Sequence, residues 1–468
     1  MQAGGAIVHG ETLSGDALIT VLNPATNIVA AHVKACDAPV VEQAIASCRS
    51  AFPGWSNLPL ADRRNALLAC ADILEAHSEE LAQMLTLEQG KPLNGMGSRF
   101  EIGGAIAWTR HTASLQLPVE PIQDDDKAHI AVYRKPLGIV ASITPWNWPV
   151  MIAIWHIMPA LLAGNVVVIK PSPLTPLSTL RMVELFQAAL PNGVLNALAG
   201  PDEIGPVLTS HPAIAKVCFT GSTRTGRAVM SSAAPTLKRL TLELGGNDAG
   251  IVLPDCDPAA IAEGLFWGAL INNGQTCAAL KRLYVHDTIY DAVCDNLVRF
   301  AKGIKVGNGT EEDAVLGPVQ NRMQFEKVSS LVGAARADGA RVLCGGEPDG
   351  GPGNFHPVTF VADAEAGMAL VDEEQFGPAL PIIRYTKIDD ALAQANSLDF
   401  GLGGSIWSAD TGRARDLAMQ LECGTAWVNK HGAIRPDIPF GGVKSSGFGV
   451  EFGQHGLDEF VSLHIVHD

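Results

Sequence analysis

The 468-residue sequence is short of positive charge, with 33 Lys and Arg residues against 49 Asp and Glu and a formal net charge of −16. A nucleic-acid-binding protein needs a basic surface to neutralise phosphates, so this balance argues against that class. Only 18% of the residues are charged and 47% are hydrophobic, which excludes intrinsic disorder. We therefore expect a folded protein with a large core and no nucleic-acid partner.

A disulfide framework and a metal-ligand pattern are also lacking. The nine cysteines are odd in number and scattered along the chain, which does not predict paired cysteines. Free thiols are typical of a reducing compartment, so we expect a cytoplasmic protein. No Cys-x-x-Cys pair is present, and we expect no metal site.

The sequence has no unbroken apolar run of membrane-spanning length. The nearest candidate, 149–169, is divided by Pro159 and Gly164, and it predicts a buried helix followed by a buried strand. Glu11 and Asp16 stand where a signal peptide would be most apolar. We therefore expect neither a signal peptide nor a membrane partner.

From residue 138 onward, predicted strands alternate with predicted helices, which is typical of α/β domains with doubly wound parallel sheets. The predicted strands are 139–143, 166–169, 194–199, 216–219, 249–253, 282–285, 341–343 and 381–385. The predicted helices are 38–51, 61–87, one that ends at 163, 180–190, 224–232, 259–271, 289–301, 323–338 and 388–395. A polar segment over 116–134 predicts a projecting hairpin, with the acidic run at 124–126 as a solvated turn.

A Gly-rich turn lies at 219–226, where Phe-Thr-Gly-Ser-Thr-Arg-Thr-Gly follows a predicted strand and opens a predicted helix. Free backbone N–H groups at a helix N-terminus suit an anion such as phosphate. Gly221 and Gly226 are five residues apart, unlike the usual dinucleotide fingerprint, and no Lys-Ser/Thr pair follows them as in a nucleotide-triphosphate loop. Taken alone, the turn fits a phosphate site or an ordinary strand-to-helix connection.

Three residues suggest covalent chemistry. Cys277 lies on a Gly-containing turn, where an exposed thiol could act as a nucleophile. Glu243 stands between two leucines at a predicted strand end, where burial could raise its pKa and make it a general base. Asn147 follows a predicted parallel strand and could donate to an oxyanion. Each also has an ordinary structural interpretation, as an inert thiol, a satisfied carboxylate and a turn-stabilising amide.

Seven ordered motifs lie at 145–149, 170–172, 219–226, 242–246, 274–277, 374–378 and 439–442. Together they resemble the aldehyde dehydrogenase superfamily, and the likeness covers nearly the whole chain. The spacing also fits, since Glu243 and Cys277 are 34 residues apart and Asn147 and Lys170 are 23 apart. The resemblance implies that Cys277 attacks an aldehyde and that the Asn147 amide and the Cys277 N–H hold the oxyanion. It also implies that Glu243 activates water to hydrolyse a thioester.

The same resemblance implies a nicotinamide cofactor and a domain plan. We expect a Rossmann-like cofactor-binding domain over 1–115 and 137–244 and a catalytic domain over 245–445. Segments 116–136 and 460–468 resemble the family's oligomerisation strands, which predicts a homodimer or homotetramer. The cofactor contacts that the resemblance implies are Trp146, Lys170, Ser172, Gly221, Ser222, Gly226, Gly245, Glu374 and Phe376.

One position departs from the family pattern. Many NAD-preferring members carry a glutamate three residues after the lysine, and Pro173 occupies that position here. Without this carboxylate to repel a 2′-phosphate, Lys170, Ser172 and Arg224 could tolerate NADP. We therefore expect NAD as the cofactor, with weakened discrimination against NADP.

The substrate end is less specific. The residues that match the family's aldehyde tunnel are Trp148, Trp155, Ile434 and Phe440. Large aromatic walls suit apolar or aryl aldehydes. Arg435 and His431 of the same loop could instead meet a substrate carboxylate, or could have a surface role.

Together these features predict NAD(P)-dependent oxidation of an aldehyde to a carboxylic acid. One alternative is a CoA-acylating relative, but such relatives tend to lack the glutamate at 243. Another is a catalytically silent binding protein on the same fold, which predicts the loss of Cys277, Glu243 or Asn147. All three residues are present.

Overall fold

The computed structural model describes residues 2–468, and its first large element is an eight-stranded, mostly parallel sheet. The central strands are short apolar runs such as Val166–Lys170, which is buried at every residue. Strands that are covered by helices on both faces have this continuous apolar character. The strand order is Gly447–Phe448, Arg239–Glu243, Ile214–Thr220, Ile139–Ile143, Val166–Lys170, Leu195–Leu198, Ala6–Val8 and Glu11–Leu13.

Helices pack on this sheet and bury their apolar faces. Pro149–Leu162 is buried at every position, as expected for a helix that is apolar everywhere except at His156. The prediction of a single helix over 61–87 is wrong in one respect. The chain leaves helical geometry at His77, so two helices form, Leu60–Ala76 and Ser78–Gln89. The helices up to residue 233 are Ala38–Ser56, Leu60–Ala76, Ser78–Gln89, Ser98–Ser114, Pro149–Leu162, Leu177–Phe186, Ile204–Ser210 and Thr223–Ala233.

A second sheet follows, with seven strands of which six run parallel. Its order is Arg341–Cys344, Thr359–Ala362, Ala379–Tyr385, Leu280–His286, Asp248–Val252, Gly403–Trp407 and Thr425–Val428. The helices of this part are Pro258–Leu270, Tyr290–Ala301, Arg322–Ala337, Ala369–Asp372, Ile388–Asn396, Thr411–Ala418 and Gly453–Asp458. Apolar side chains from the helices and strands form separate clusters on the sheet's faces.

Two distant segments make a three-stranded antiparallel extension. Val461–His467 pairs along its whole length with Ala128–Pro136, which also pairs with Glu120–Asp125. A second small sheet joins Gln2–Ala3, Ile28–Lys34 and Leu18–Asn23. Two parallel α/β sheets with a β extension confirm the predicted fold class. Within residues 2–468, no helix is both long enough and apolar enough to cross a membrane.

Candidate active site

Parallel strands of the first sheet end along one edge, where ligands bind in folds of this type. Strand registers place Ile143 beside Lys170 and Thr220 beside Glu243. Three of the predicted site residues, Lys170, Gly221 and Glu243, lie at or directly after these ends, and Asn147 follows four residues after Ile143. The fold therefore brings together residues that the sequence separates by up to about a hundred positions.

The loop before Cys277 has an unusual backbone. Asn272, Asn273 and Gly274 all have positive φ, at 50°, 59° and 73°, which asparagine and glycine tolerate better than other residues. Asn273 Nδ2 donates to Gly317 O at 2.9 Å. The buried Lys281 Nζ donates to the carbonyls of residues 274 and 276 at 3.1 and 2.9 Å. Side-chain hydrogen bonds therefore hold this strained loop in place.

Cys277 is half-buried as a residue, and its sulfur stands among carboxylates. Burial of the sulfur raises its pKa above the ordinary value, and the negative charges of Glu243, Asp248 and Glu374 raise it further. Both effects disfavour the thiolate. The resting thiol is therefore neutral at pH 7, and it needs a base or a nearby positive charge before it can attack.

Glu243 is buried at the end of its strand, with 3% of its surface exposed. Burial raises its pKa well above the ordinary value, and the charge of Glu451 raises it further. The Gly442 amide is close enough to oppose this rise slightly, but neither carboxylate oxygen accepts a hydrogen bond of ordinary geometry from the described residues. The free oxygens leave Glu243 able to exchange a proton.

A second buried polar group lies behind Glu243, and the sequence analysis did not find it. Glu451 is 6% exposed, and His156 Nε2 lies 3.1 Å from its Oε1. The other ring nitrogen of His156 lies 2.9 Å from Ser142 Oγ. No motif identifies Glu451, because it is far from Glu243 in the sequence and only the fold makes them neighbours.

Asn147 lies beside the loop of Cys277. Its Nδ2 donates to Gln275 O at 2.9 Å, and the indole of Trp148 donates to Thr276 Oγ1 at 3.0 Å. These two bonds tie the turn after the strand Ile139–Ile143 to the residues directly before the thiol. An amide carries two N–H donors, so one donor of Asn147 remains for another acceptor.

The Gly-rich turn has the geometry of an anion site. Gly221 N donates to Glu243 O at 3.0 Å, and Ser222 caps the helix Thr223–Ala233 by accepting from Thr225 N at 3.3 Å. A Cβ on Gly226 would lie 2.5 Å from Leu244 Cδ2, so a larger residue at 226 would require the Leu244 side chain to move. The first turn of the helix leaves backbone donors free for a phosphate.

The remaining predicted cofactor residues line the same edge. Gly246 N donates to Glu374 Oε1 at 3.1 Å, and a Cβ on Gly245 would lie 2.6 Å from Glu374 Oε2. Phe376 has a φ of 50°, and its ring centroid is 5.3 Å from that of Trp146. The half-buried carboxylate of Glu374 thus occupies a space that a side chain at position 245 would fill.

Lys170 and Ser172 follow the neighbouring strand end. Lys170 is 4% exposed, and burial lowers its pKa, while Asp202 and Glu203 oppose this shift. Ser172 Oγ accepts from Leu174 N at 3.3 Å. A dinucleotide presents hydroxyls and a pyrophosphate. These fit the groups of this site, which are the ammonium of Lys170, the hydroxyl of Ser172, the carboxylate of Glu374 and the open N-terminus of the helix Thr223–Ala233.

Aromatic side chains pack beside the Cys277 thiol. Three of the predicted substrate residues, Trp148, Trp155 and Phe440, form one buried cluster, and Ile434 and Cys277 pack against it. The structure adds members that the sequence analysis did not assign to this cluster: Trp108, Met151, Ile152, Ile271, Ala278, Leu402, Trp427 and Phe452. The walls next to the thiol are therefore apolar and largely aromatic.

The hypothesis that Arg435 and His431 meet a substrate carboxylate finds no support in their contacts. The exposed Arg435 side chain is paired with Asp437 at 2.7 Å. His431 Nε2 lies 3.5 Å from the buried Asp248 carboxylate, and its Nδ1 lies 2.9 Å from Ser405 Oγ. His431 is thus buried against the second sheet, and Arg435 is held by its neighbour.

Comparison with known proteins assigns the chain to a family. The sequence model described as the aldehyde dehydrogenase family matches residues 12–466. The chain is 38% identical over 479 aligned residues to a Pseudomonas fluorescens protein named phenylacetaldehyde dehydrogenase, and the match covers 99% of this chain and 94% of that protein.

Solved structures agree with this match. One, described as an E. coli NADP-dependent enzyme, has a TM-score of 0.96 at 33% identity and covers 100% of this chain and 98% of its own. Another, a double mutant of a Staphylococcus aureus betaine aldehyde dehydrogenase in complex with NAD+, has a TM-score of 0.95 at 32% identity over 99% and 96% of the two chains. The chain therefore belongs to the aldehyde dehydrogenase family and is an NAD(P)-dependent aldehyde oxidoreductase.

Proposed function

We propose that this enzyme oxidises an aldehyde to a carboxylic acid through a thioester on Cys277. The observation that carries the proposal is the convergence of Cys277, Glu243 and Asn147. Glu243 and Asn147 lie at or after strand ends of the first sheet, and Cys277 lies on the loop that precedes the strand Leu280–His286 of the second sheet. The charge of Glu243 acts directly on the thiol pKa, and the Asn147 amide donates to Gln275, two residues before the thiol. Acyl transfer requires such a set of nucleophile, base and neutral donor.

The chemistry follows from the state of each group. Glu243 accepts the proton of Cys277, and the thiolate forms a bond to the aldehyde carbon. The Asn147 amide and the Cys277 backbone N–H donate to the oxyanion that results, which preorganised donors stabilise. NAD(P)+, when bound, supplies the hydride acceptor. Loss of hydride from the carbon leaves a thioester, and Glu243 releases the proton of Cys277 to solvent. Glu243 then takes a proton from the water that attacks the thioester; the carbon–sulfur bond breaks, the Cys277 thiolate departs and the acid leaves.

The cofactor would be held by the Gly-rich turn, Lys170, Ser172, Glu374 and Phe376. We propose NAD as the preferred cofactor with weak discrimination against NADP. Pro173 places no carboxylate beside Lys170, so no negative side chain at that position would repel a 2′-phosphate. The sheet positions of these residues support a cofactor-binding unit over 1–115 and 137–244 and a catalytic unit over 245–445.

The aromatic cluster supports an aryl or other bulky apolar aldehyde as the substrate. Trp155 and Phe452 have ring centroids 4.8 Å apart, and those of Trp108 and Trp155 are 5.7 Å apart. Burial of a substrate ring against such walls is favourable. The buried indole N–H groups of Trp108 and Trp155 have no acceptor among the described residues, so a ring substituent that accepts hydrogen bonds could use them.

The assembly and location are also proposals. Leu463 and Ile465 are 64% and 58% exposed on the three-stranded extension, and apolar side chains exposed on a sheet favour pairing with another subunit. We therefore propose a homodimer or homotetramer. All nine cysteines are free, which favours a reducing, cytoplasmic environment.

The decisive test compares Cys277→Ala and Glu243→Gln with Cys344→Ala, a control that removes another partly exposed thiol. With a panel of aryl, aliphatic and semialdehyde substrates, the first two variants should lose at least about a thousandfold in kcat, as expected for groups that act as a unit. The control should keep its activity. Full turnover by Cys277→Ala would refute the mechanism, and acyl-CoA formation on addition of CoA would favour the acylating alternative.

A further inference from the structure

A buried ion pair lies outside the set of residues assigned so far. Lys91 Nζ and Glu101 Oε2 are 2.6 Å apart, and their side chains are 1% and 0% exposed. Burial lowers the pKa of Lys91 to about 8, although the charge of Glu101 opposes the shift. A buried pair is tolerated only when further hydrogen bonds satisfy both partners. The partners of this pair are therefore informative.

Those partners all belong to one turn. Lys91 Nζ donates to the backbone carbonyl of Asn147 at 2.8 Å. Glu101 Oε1 accepts from Val150 N at 2.9 Å and from Met151 N at 3.1 Å, at the start of the helix Pro149–Leu162. The pair thus holds this turn on both sides of Trp148.

Trp148 itself is held from the same direction. Lys91 Nζ lies 3.6 Å from the centroid of the Trp148 ring, a distance at which a cation is attracted to an aromatic face. On the other side of the turn, Asn272 Nδ2 donates to Asn147 O at 2.9 Å. The carbonyl of Asn147 therefore has two donors, and removal of Lys91 would leave one.

We propose that Lys91 and Glu101 are positioning residues for the Asn147 amide. This inference rests on the proposed function, in which that amide donates to the oxyanion. Lys91 fixes the backbone carbonyl of Asn147, and Glu101 fixes the helix start that follows it, so the backbone from which the Asn147 side chain projects cannot shift. A misplacement of a catalytic group by about 1 Å can lower a rate about a hundredfold. Neither residue touches the reacting atoms.

The test separates the positioning role from a role in folding alone. Lys91→Met and Glu101→Gln are compared with Lys238→Met, which removes another buried ammonium that donates to a backbone carbonyl, that of His211 at 2.6 Å. Three quantities are measured: kcat with an aldehyde, the melting temperature, and the rate at which iodoacetamide alkylates Cys277. Alkylation forms no oxyanion, so its rate measures the reactivity of the Cys277 thiol and does not depend on donation by the Asn147 amide.

We expect kcat to fall about ten- to a hundredfold in Lys91→Met and less in Glu101→Gln, as for a weakened oxyanion donor. Alkylation should stay within about twofold of the wild type, and Lys238→Met should lose stability without this split. Lys91→Met in an Asn147→Ala background should add little, because the amide that Lys91 positions is gone.

Three results would each overturn the inference. The first is an equal fall in kcat and in the alkylation rate of Cys277, and the second is an unchanged kcat in both Lys91→Met and Glu101→Gln. The third is a full loss of kcat from Lys91→Met in the Asn147→Ala background, equal to its loss in the wild-type background. If Lys91→Met does not fold, the same comparison of kcat with the alkylation rate of Cys277 is made in Glu101→Gln and Lys91→Arg. Failure of the proposed function would appear separately, as activity retained by Cys277→Ala.

Discussion

Negative charge around Cys277 determines how its chemistry depends on pH. Burial and the charge of Glu451 raise the pKa of Glu243 well above its ordinary value. A general base acts only when it is ionised, so a raised pKa moves its working range to higher pH. We therefore expect kcat to rise with pH through the neutral range.

Glu451→Gln tests this assignment at a single residue. Removal of the neighbouring charge lowers the pKa of Glu243, so the acid limb of the kcat profile should move to lower pH by about one unit. Glu347→Gln, which removes an exposed charge that pairs with Arg336, is the control and should leave the limb in place. An unmoved limb in Glu451→Gln would contradict the account of Glu243.

Pro173 tests the origin of cofactor selectivity. Pro173→Glu should raise the ratio of kcat/KM for NAD to that for NADP by about tenfold or more, because a carboxylate there repels a 2′-phosphate. Pro173→Ala changes the backbone without adding charge and should leave the ratio near the wild-type value. Equal ratios in the two variants would contradict this explanation.

At the scale of an element, the helix Leu177–Phe186 begins on a buried carboxylate. Glu88 accepts from Leu177 N at 2.7 Å and Ser178 N at 2.9 Å, and burial raises the pKa of Glu88 to about 7. The folded state therefore binds a proton that the unfolded state has already lost between about pH 4.5 and 7. Stability contributed by the protonated carboxyl falls as pH rises through this window.

Glu88→Gln removes this titration and keeps a side chain of similar shape. The free energy of unfolding of the wild type, relative to that of the variant, should decrease between pH 5 and pH 8. Urea unfolding at several pH values measures both. Parallel pH dependence of the two proteins would show that Glu88 does not titrate in this range.

The sequence could predict elements whose pattern is self-contained. The apolar run at 166–169 is a strand because both of its faces are covered, and the motif residues Lys170, Gly221 and Glu243 fall where parallel strands end. The helix Ser98–Ser114 was missed because its few apolar residues alternate with small and polar ones. Glu451, Lys91 and Trp108 could not be found either, since only long-range packing brings each of them to the site.

At the scale of the whole molecule, the exposed strand Val461–His467 should control assembly. Leu463→Glu with Ile465→Glu places charge on an apolar sheet surface and should yield smaller species by size-exclusion chromatography with light scattering. Met323→Glu, at a residue that is 76% exposed, is the matched control. An unchanged mass in the double variant would contradict the proposed interface.

The most direct test of the mechanism is a single-turnover experiment with Glu243→Gln and an aryl aldehyde. We expect about one equivalent of reduced cofactor per active site and no further turnover, because oxidation precedes the hydrolysis that Glu243 serves. This equivalent should form more slowly than in the wild type, because Glu243 also takes the proton of Cys277. Mass spectrometry of the quenched protein should then find the acyl group on the peptide that contains Cys277. Turnover at the wild-type rate, or an acyl group on any residue other than Cys277, would contradict the account.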